Sequence, residues 1–146
     1  MKCLLQRVTK AAVDVDGDRI GAIDSGLLVL VGFEKDDDPN RIERMAERLL
    51  GYRVFSDSEG RMNRSTRDVV GDLLLVSQFT LAADTNKGTR PSFSSAADPG
   101  VAYGFFDEFV ELLKTRHEGH IATGRFGADM QVSLINDGPV TFLLET

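Results

Sequence analysis

Cysteine is almost absent from this sequence, with Cys3 as its one representative, and there is no tryptophan. One cysteine cannot close an intramolecular disulfide, and two histidines give no Cys/His spacing that would ligate structural zinc. Apolar packing in a reducing cytoplasm is therefore expected, with no metal and no cofactor. Proline is scarce as well, at four residues, and no Pro-rich or low-complexity linker divides the chain. One domain over residues 1–146 is expected, long enough to bury a substantial core. No apolar run approaches the roughly 20 residues that cross a bilayer. Lys2 and Arg7 interrupt the opening stretch too early for a signal peptide, so no membrane partner is expected. Positive charge is in deficit, 17 Lys and Arg against 23 Asp and Glu, a net charge of −6. That excludes a protein that coats nucleic acid through a broad basic surface, and no DNA partner is expected. A local basic group remains possible, with Arg61, Arg64, Arg67, Lys87 and Arg90 as candidates in two loop-like stretches.

Two helices are announced by the same signal, Asp-Pro, an N-cap followed by proline at the first helical position. The first begins at Asp38-Pro39, carries Ile42, Met45, Ala46, Leu49 and Leu50 on one face, and stops near Gly51. The second begins at Asp98-Pro99 and carries Ala102, Phe105, Phe106, Phe109, Leu112 and Leu113; a phenylalanine stripe at this spacing reads as core. Strand signals run over Leu4–Val8, Ala11–Val15 and Arg19–Ile23, with Asp16-Gly17-Asp18 as a hairpin turn. Leu27–Val31 and Leu73–Val76 are continuous apolar runs that suit strands covered on both faces. Val132–Leu134 and Val140–Leu144 read as two further strands around Asn136-Asp137-Gly138-Pro139. Many strands with two main helices predict an α+β fold, a mostly antiparallel or barrel-like sheet with the helices packed on it.

The familiar catalytic patterns are missing: no GxSxG, HExxH, P-loop or GxGxxG occurs. Cys3 lies in a strand signal and reads as a small buried hydrophobe. His117 and His120 flank a helix end and read as surface-loop residues. What remains is Ser77-Gln78-Phe79-Thr80-Leu81, where a buried strand runs out into a polar loop. It offers two hydroxyls, an amide and backbone N–H groups able to bind a carbonyl oxygen as an oxyanion hole; it also reads as an ordinary Ser-capped turn. Asn136-Asp137-Gly138-Pro139 has the residues of a hairpin turn, with a proline that removes a donor at a strand start and allows a cis peptide. Gly124-Arg125-Phe126-Gly127-Ala128-Asp129-Met130 reads as a turn with a packed aromatic.

Taken in order, these segments resemble the D-aminoacyl-tRNA deacylase family over nearly the whole chain. The resemblance rests on Gln6-Arg7-Val8, Gly26 to Leu30, Ser77 to Leu81, Lys87-Gly88, Arg90-Pro91-Ser92-Phe93, Gly124 to Leu134 and Asn136 to Thr141. It implies an enzyme that hydrolyses the ester of D-aminoacyl-tRNA, and of glycyl-tRNA, without a cofactor. It further implies a homodimer with the active site at the subunit interface. Ser77, Gln78, Phe79 and Thr80 would form the catalytic segment. Gly138-Pro139 of the partner, in a cis peptide held by Arg7, would exclude L-amino acids, and Ala102, Phe126 and Met130 would line the adenosine end. Lys87 and Arg90 are candidate tRNA contacts. Thr80 as nucleophile and the substrate's ribose 2′-hydroxyl are both open as activators. The alternatives are a small-molecule ester or amide hydrolase using Thr80, and a noncatalytic tRNA-binding dimer.

Overall fold

The signals Leu4–Val8 and Ala11–Val15 are one strand, β1 (Lys2–Val15), in the computed structural model, which describes residues 1–86 and 88–146. Thr9 falls at a register shift but does not break it, because pairing resumes at once with Lys10 opposite Ile135. At Asp16-Gly17 both residues take positive φ, 53° and 86°, the geometry of the tight turn that matches strand twist. The chain returns as β2 (Asp18–Ile23) along the second half of β1, and β3 (Gly26–Gly32) pairs with its first half.

The two continuous apolar runs are neighbours. Strand β3 pairs in parallel with β6 (Asp72–Ser77), and β6 in parallel with β7 (Ile121–Thr123). Parallel pairing requires crossover connections. Between β3 and β6 these are α1 (Pro39–Gly51), the hairpin β4 (Arg53–Ser56) and β5 (Met62–Ser65), and the single turn α2 (Thr66–Val69). Between β6 and β7 it is α3 (Pro99–Arg116). The sheet order is β2-β1-β3-β6-β7, with β8 (Gln131–Glu145) on the other side of β1. The sheet curls until a β-carbon on Gly21 of β2 would lie 2.9 Å from the Thr123 carbonyl oxygen of β7, leaving the barrel nearly closed.

Alternation along the buried strands divides two apolar layers. Leu27, Val29, Val31, Leu73 and Leu75 face α1 and α3, where they meet Ile42, Met45, Leu49, Phe106, Phe109 and Leu113. Leu28, Leu74 and Val76 face the opposite layer with Val8, Ala11, Val13 and Ile23. The buried face of α1 is the set its spacing predicts, and the Asp38 carboxylate accepts from Arg41 N at 2.9 Å. In α3, Ala102, Phe106, Phe109, Val110 and Leu113 are buried, with Phe105 and Leu112 half-buried.

Three expectations are corrected. Val132–Leu134 and Val140–Leu144 belong to one strand, β8, and Asn136 to Pro139 is not a hairpin turn. Both ends of β8 pair with the same partner: Gln6 faces Thr141 and Val8 faces Asn136, so Asp137 to Val140 lie opposite Arg7 alone and are extruded as a bulge. His117 is not a surface residue. It is buried, and its Nε2 donates to the Gly71 carbonyl at 2.7 Å, tying the end of α3 to the second residue after α2. The elements β4, β5, β7 and α2 carry no expectation from the sequence, being short and built mainly from polar or half-buried residues.

No helix among the described residues is long and apolar enough to cross a membrane. The Met1 amino group is buried and paired with Asp37 at 2.5 Å and Glu34 at 3.1 Å.

Candidate active site

Strand β6 ends at Ser77 because the chain there tightens into a single 3-10 turn, Phe79–Ala82. Gln78 N still donates to Val31 O at 2.7 Å, so the strand end is fixed to β3 up to that residue. Leu81 N donates back to Gln78 O and Ala83 N to Thr80 O, each at 3.2 Å. The N–H groups that open such a turn, here those of Phe79 and Thr80, have no acceptor within it. The Gln78 side-chain amide donates to Thr80 Oγ1 at 2.6 Å, closing a short loop of side chains over the turn.

A cavity of about 490 Å³ opens beside this turn. Ser77, Gln78 and Phe79 form one wall, Ala97, Pro99 and Ala102 at the start of α3 another, and Phe126 to Met130 with Val132 a third. The sequence candidates Ser77, Gln78, Phe79, Ala102, Phe126 and Met130 thus meet in one place, with Thr80 joined to them through Gln78. Gly124 permits the close fit, since a β-carbon there would lie 2.6 Å from Met130 Sδ. Asp129 is a lining carboxylate that sequence reading missed; nothing but its place beside Met130 marked it. Phe79 is 60% exposed and rests against Phe93, ring centroids 5.1 Å apart.

Arg7, Gly138 and Pro139 lie elsewhere. Arg7 lines a separate hollow of about 330 Å³ with Ser25, Phe55, Ser56, Val70, Gly71 and Asp137. Its Nη1 donates to Val54 O at 2.6 Å, its Nε to Asp137 O at 3.0 Å, and Asp137 Oδ2 is 3.2 Å away. The guanidinium therefore ties the bulge of β8 to the β4–β5 hairpin. The Gly138-Pro139 peptide is cis, and both residues are exposed. From Val132, which lines the cavity, to Gly138 is six residues of strand, roughly 20 Å, so one chain does not bring its two motifs together. Arg90 is exposed on the loop before α3, whereas Lys87 lies outside the described residues.

Acid–base chemistry is thin around the cavity. Burial pushes the Cys3 thiol far up, consistent with an inert core residue on β1. Among the described residues no group of three or more His, Cys, Asp and Glu side chains could hold a metal ion.

Known proteins match the chain over nearly its whole length. The family model described as D-Tyr-tRNA(Tyr) deacylase matches residues 4–145. A D-aminoacyl-tRNA deacylase of Teredinibacter turnerae is 63% identical over 146 residues, covering all of both chains. One from Ectopseudomonas mendocina is 61% identical over 145 residues, covering 99% of each. Among solved structures, one titled c-Myc DNA Unwinding Element Binding Protein superposes with a TM-score of 0.96 at 42% identity, covering 100% of this chain and 99% of its own. A probable eukaryotic D-amino acid tRNA deacylase shares the fold, with a TM-score of 0.84 at 17% identity over 98% and 97% of the two chains. With the model matched almost end to end and close relatives aligned over their full lengths, the chain belongs to the D-Tyr-tRNA(Tyr) deacylase family of hydrolases.

Proposed function

We infer that this protein hydrolyses the ester between a D-amino acid and the 3′ end of tRNA, in the cytoplasm and as a homodimer that completes each pocket with a segment of its partner. The observation that carries the reading is the split of the site. A cavity with an open backbone wall lies at one place on the chain, and an exposed, tethered bulge lies at another on the same strand. Half-buried Met130, Val132 and Leu134 leave one apolar layer partly open, as a two-fold contact would require.

In this reading Ala102, Phe126 and Met130 hold the terminal adenosine. The ester carbonyl points to the Phe79 and Thr80 N–H groups, which stabilise the oxyanion as water adds to the carbonyl carbon. Collapse of that adduct breaks the bond to the ribose oxygen, which leaves with a proton, and releases amino acid and tRNA. The ribose 2′-hydroxyl assists the attack. Thr80 is a poor nucleophile because a base would have to take its proton, and its oxygen already accepts from Gln78.

The Gly138-Pro139 segment of the partner fills the side of the pocket that an L-side chain would need. Exclusion of this kind discriminates more strongly than attraction to a D-side chain, since a few apolar contacts contribute only about 1–3 kcal/mol. Glycine has no side chain to reject, so glycyl-tRNA is a substrate too. The test is release of amino acid from matched D- and L-tyrosyl-tRNA. Selective loss of the D-ester supports the reading, whereas equal loss of both, or binding without hydrolysis, overturns it.

A further inference from the structure

Aromatic rings lead from the core out past the wall of the cavity. Phe106, buried in α3, meets Phe126 with ring centroids 6.1 Å apart, and Phe126 meets Tyr103 at 5.5 Å and 86°. Tyr103 is 59% exposed and lies off the buried face of α3. A contact at right angles engages at most one face of a ring, so Tyr103 keeps a free face in solvent one ring beyond the cavity.

Tyr103 follows Ala102 in sequence and touches Phe126, two residues of the cavity wall, so it flanks the rim over which a bound strand would pass on that side. The 3′ end of tRNA is single-stranded, so the nucleotide before the terminal adenosine leaves the pocket over its rim with an unpaired base. Unpaired bases recover lost stacking on exposed aromatic side chains. We propose that Tyr103 is the stacking platform for the nucleobase that precedes the terminal adenosine, a subsite that rests on the deacylase reading above and extends it by one nucleotide. The platform acts on binding, not on chemistry, because it touches no reacting atom.

Two readouts test it. The chain has no tryptophan and two tyrosines, and Tyr52 is half-buried, packed edge-on against Phe142 at the margin of the core. Tyrosine emission therefore reports on Tyr103 against one other ring, and Tyr103→Phe gives the signal of Tyr52 alone. Titration with the dinucleotide cytidylyl-adenosine should quench it, while adenosine monophosphate should not. In kinetics, the D-tyrosyl ester of the trinucleotide C-C-A should have a KM about tenfold below that of the D-tyrosyl ester of adenosine, the scale of one stacked base. Tyr103→Ala should bring the two KM values together and Tyr103→Phe should keep them apart. A parent-like KM ratio in Tyr103→Ala, or equal KM values in the parent, overturns the platform and leaves the deacylase reading standing. Failure of the parent to hydrolyse either ester overturns both.

Discussion

The Gln78 amide donates to Thr80 Oγ1 at 2.6 Å, so one lone pair of that hydroxyl is engaged by its own loop. An oxygen held in this way is positioned to donate its proton rather than to attack. Thr80→Ala is expected to lower kcat by no more than about tenfold, short of the losses that follow removal of a nucleophile or an acid–base group. Asp129→Asn, which removes a carboxylate from the cavity wall, is expected to behave similarly. Single-turnover hydrolysis of D-tyrosyl-tRNA measures both, and a fall of several orders of magnitude in Thr80→Ala with the fold intact would establish a covalent threonine mechanism.

The bulge of β8 depends on two features that a substitution can remove separately. Arg7 reaches Val54 O and Asp137 O at once, a fork that lysine cannot reproduce. Arg7→Lys is therefore expected to loosen the segment and raise hydrolysis of L-tyrosyl-tRNA relative to the D-ester. Gly138 has φ of +139°, and a β-carbon there would lie 2.6 Å from Val140 Cγ2. Gly138→Ala should displace the segment and reduce D-activity. Both are read from D and L deacylation rates side by side; an Arg7→Lys protein as strict as the parent would remove the tether from chiral selection.

Contact with tRNA should be local. Arg90 is exposed on the loop before α3 in a protein with net charge −6. Neutralising one phosphate-contacting residue should reduce the slope of log affinity against log salt by about one unit. Arg90→Ala with Lys87→Ala is expected to do so roughly twice over, and a salt series with an unchanged slope would place both residues outside the interface.

Stability is expected to depend on the buried pair at the N-terminus. Asp37 has a fully buried side chain that accepts from the Met1 amino group at 2.5 Å and from Glu34 N at 2.7 Å. Asp37→Asn leaves the buried Met1 amino group with partly exposed Glu34 as its one remaining counter-charge, a loss of up to about 3 kcal/mol, or ~10 °C in Tm for a chain of this size. Glu34 responds to pH. Burial acts to raise its pKa, but hydrogen bonding and charge from the Met1 amino group and Lys2 outweigh it and hold the carboxyl below its ordinary 4.5. A depressed carboxylate contributes stability above its unfolded value and loses it as pH falls through the folded one. The Tm gap between parent and Glu34→Gln should therefore be present at neutral pH and close as the carboxyl protonates in acid; a gap that stays constant down to the acid unfolding of the protein would show that charge is not its origin.

The helices were legible because their signals are local: an Asp-Pro start and a 3.6-residue apolar period fixed α1 down to its five buried residues. Strands β3 and β6 were legible as doubly covered runs, but nothing in either showed that they pair with each other, since pairing is a property of the whole sheet. The bulge misled for a related reason. Asn136 to Pro139 has turn composition, and only the shared partner β1 shows that the strand resumes in place instead of folding back. His117 looked like a loop residue because its carbonyl partner is 46 positions away in sequence. Within the site, Ser77 to Phe79, Ala102, Phe126 and Met130 line one cavity, whereas Asp129 and Tyr103 carry no motif and became visible only through the cavity wall and the ring contact with Phe126.

Strand β8 contributes Val132 to the cavity and carries Gly138-Pro139 further along. In the dimer proposed above it would work as a ruler between two pockets, its own and the one its bulge would enter. Rulers of this kind tolerate substitution better than changes in length. A one-residue insertion or deletion between Val132 and Gly138 would shift the bulge by about 3.4 Å and turn every side chain beyond it to the opposite face. Within this stretch the count of residues constrains the protein more tightly than their identity.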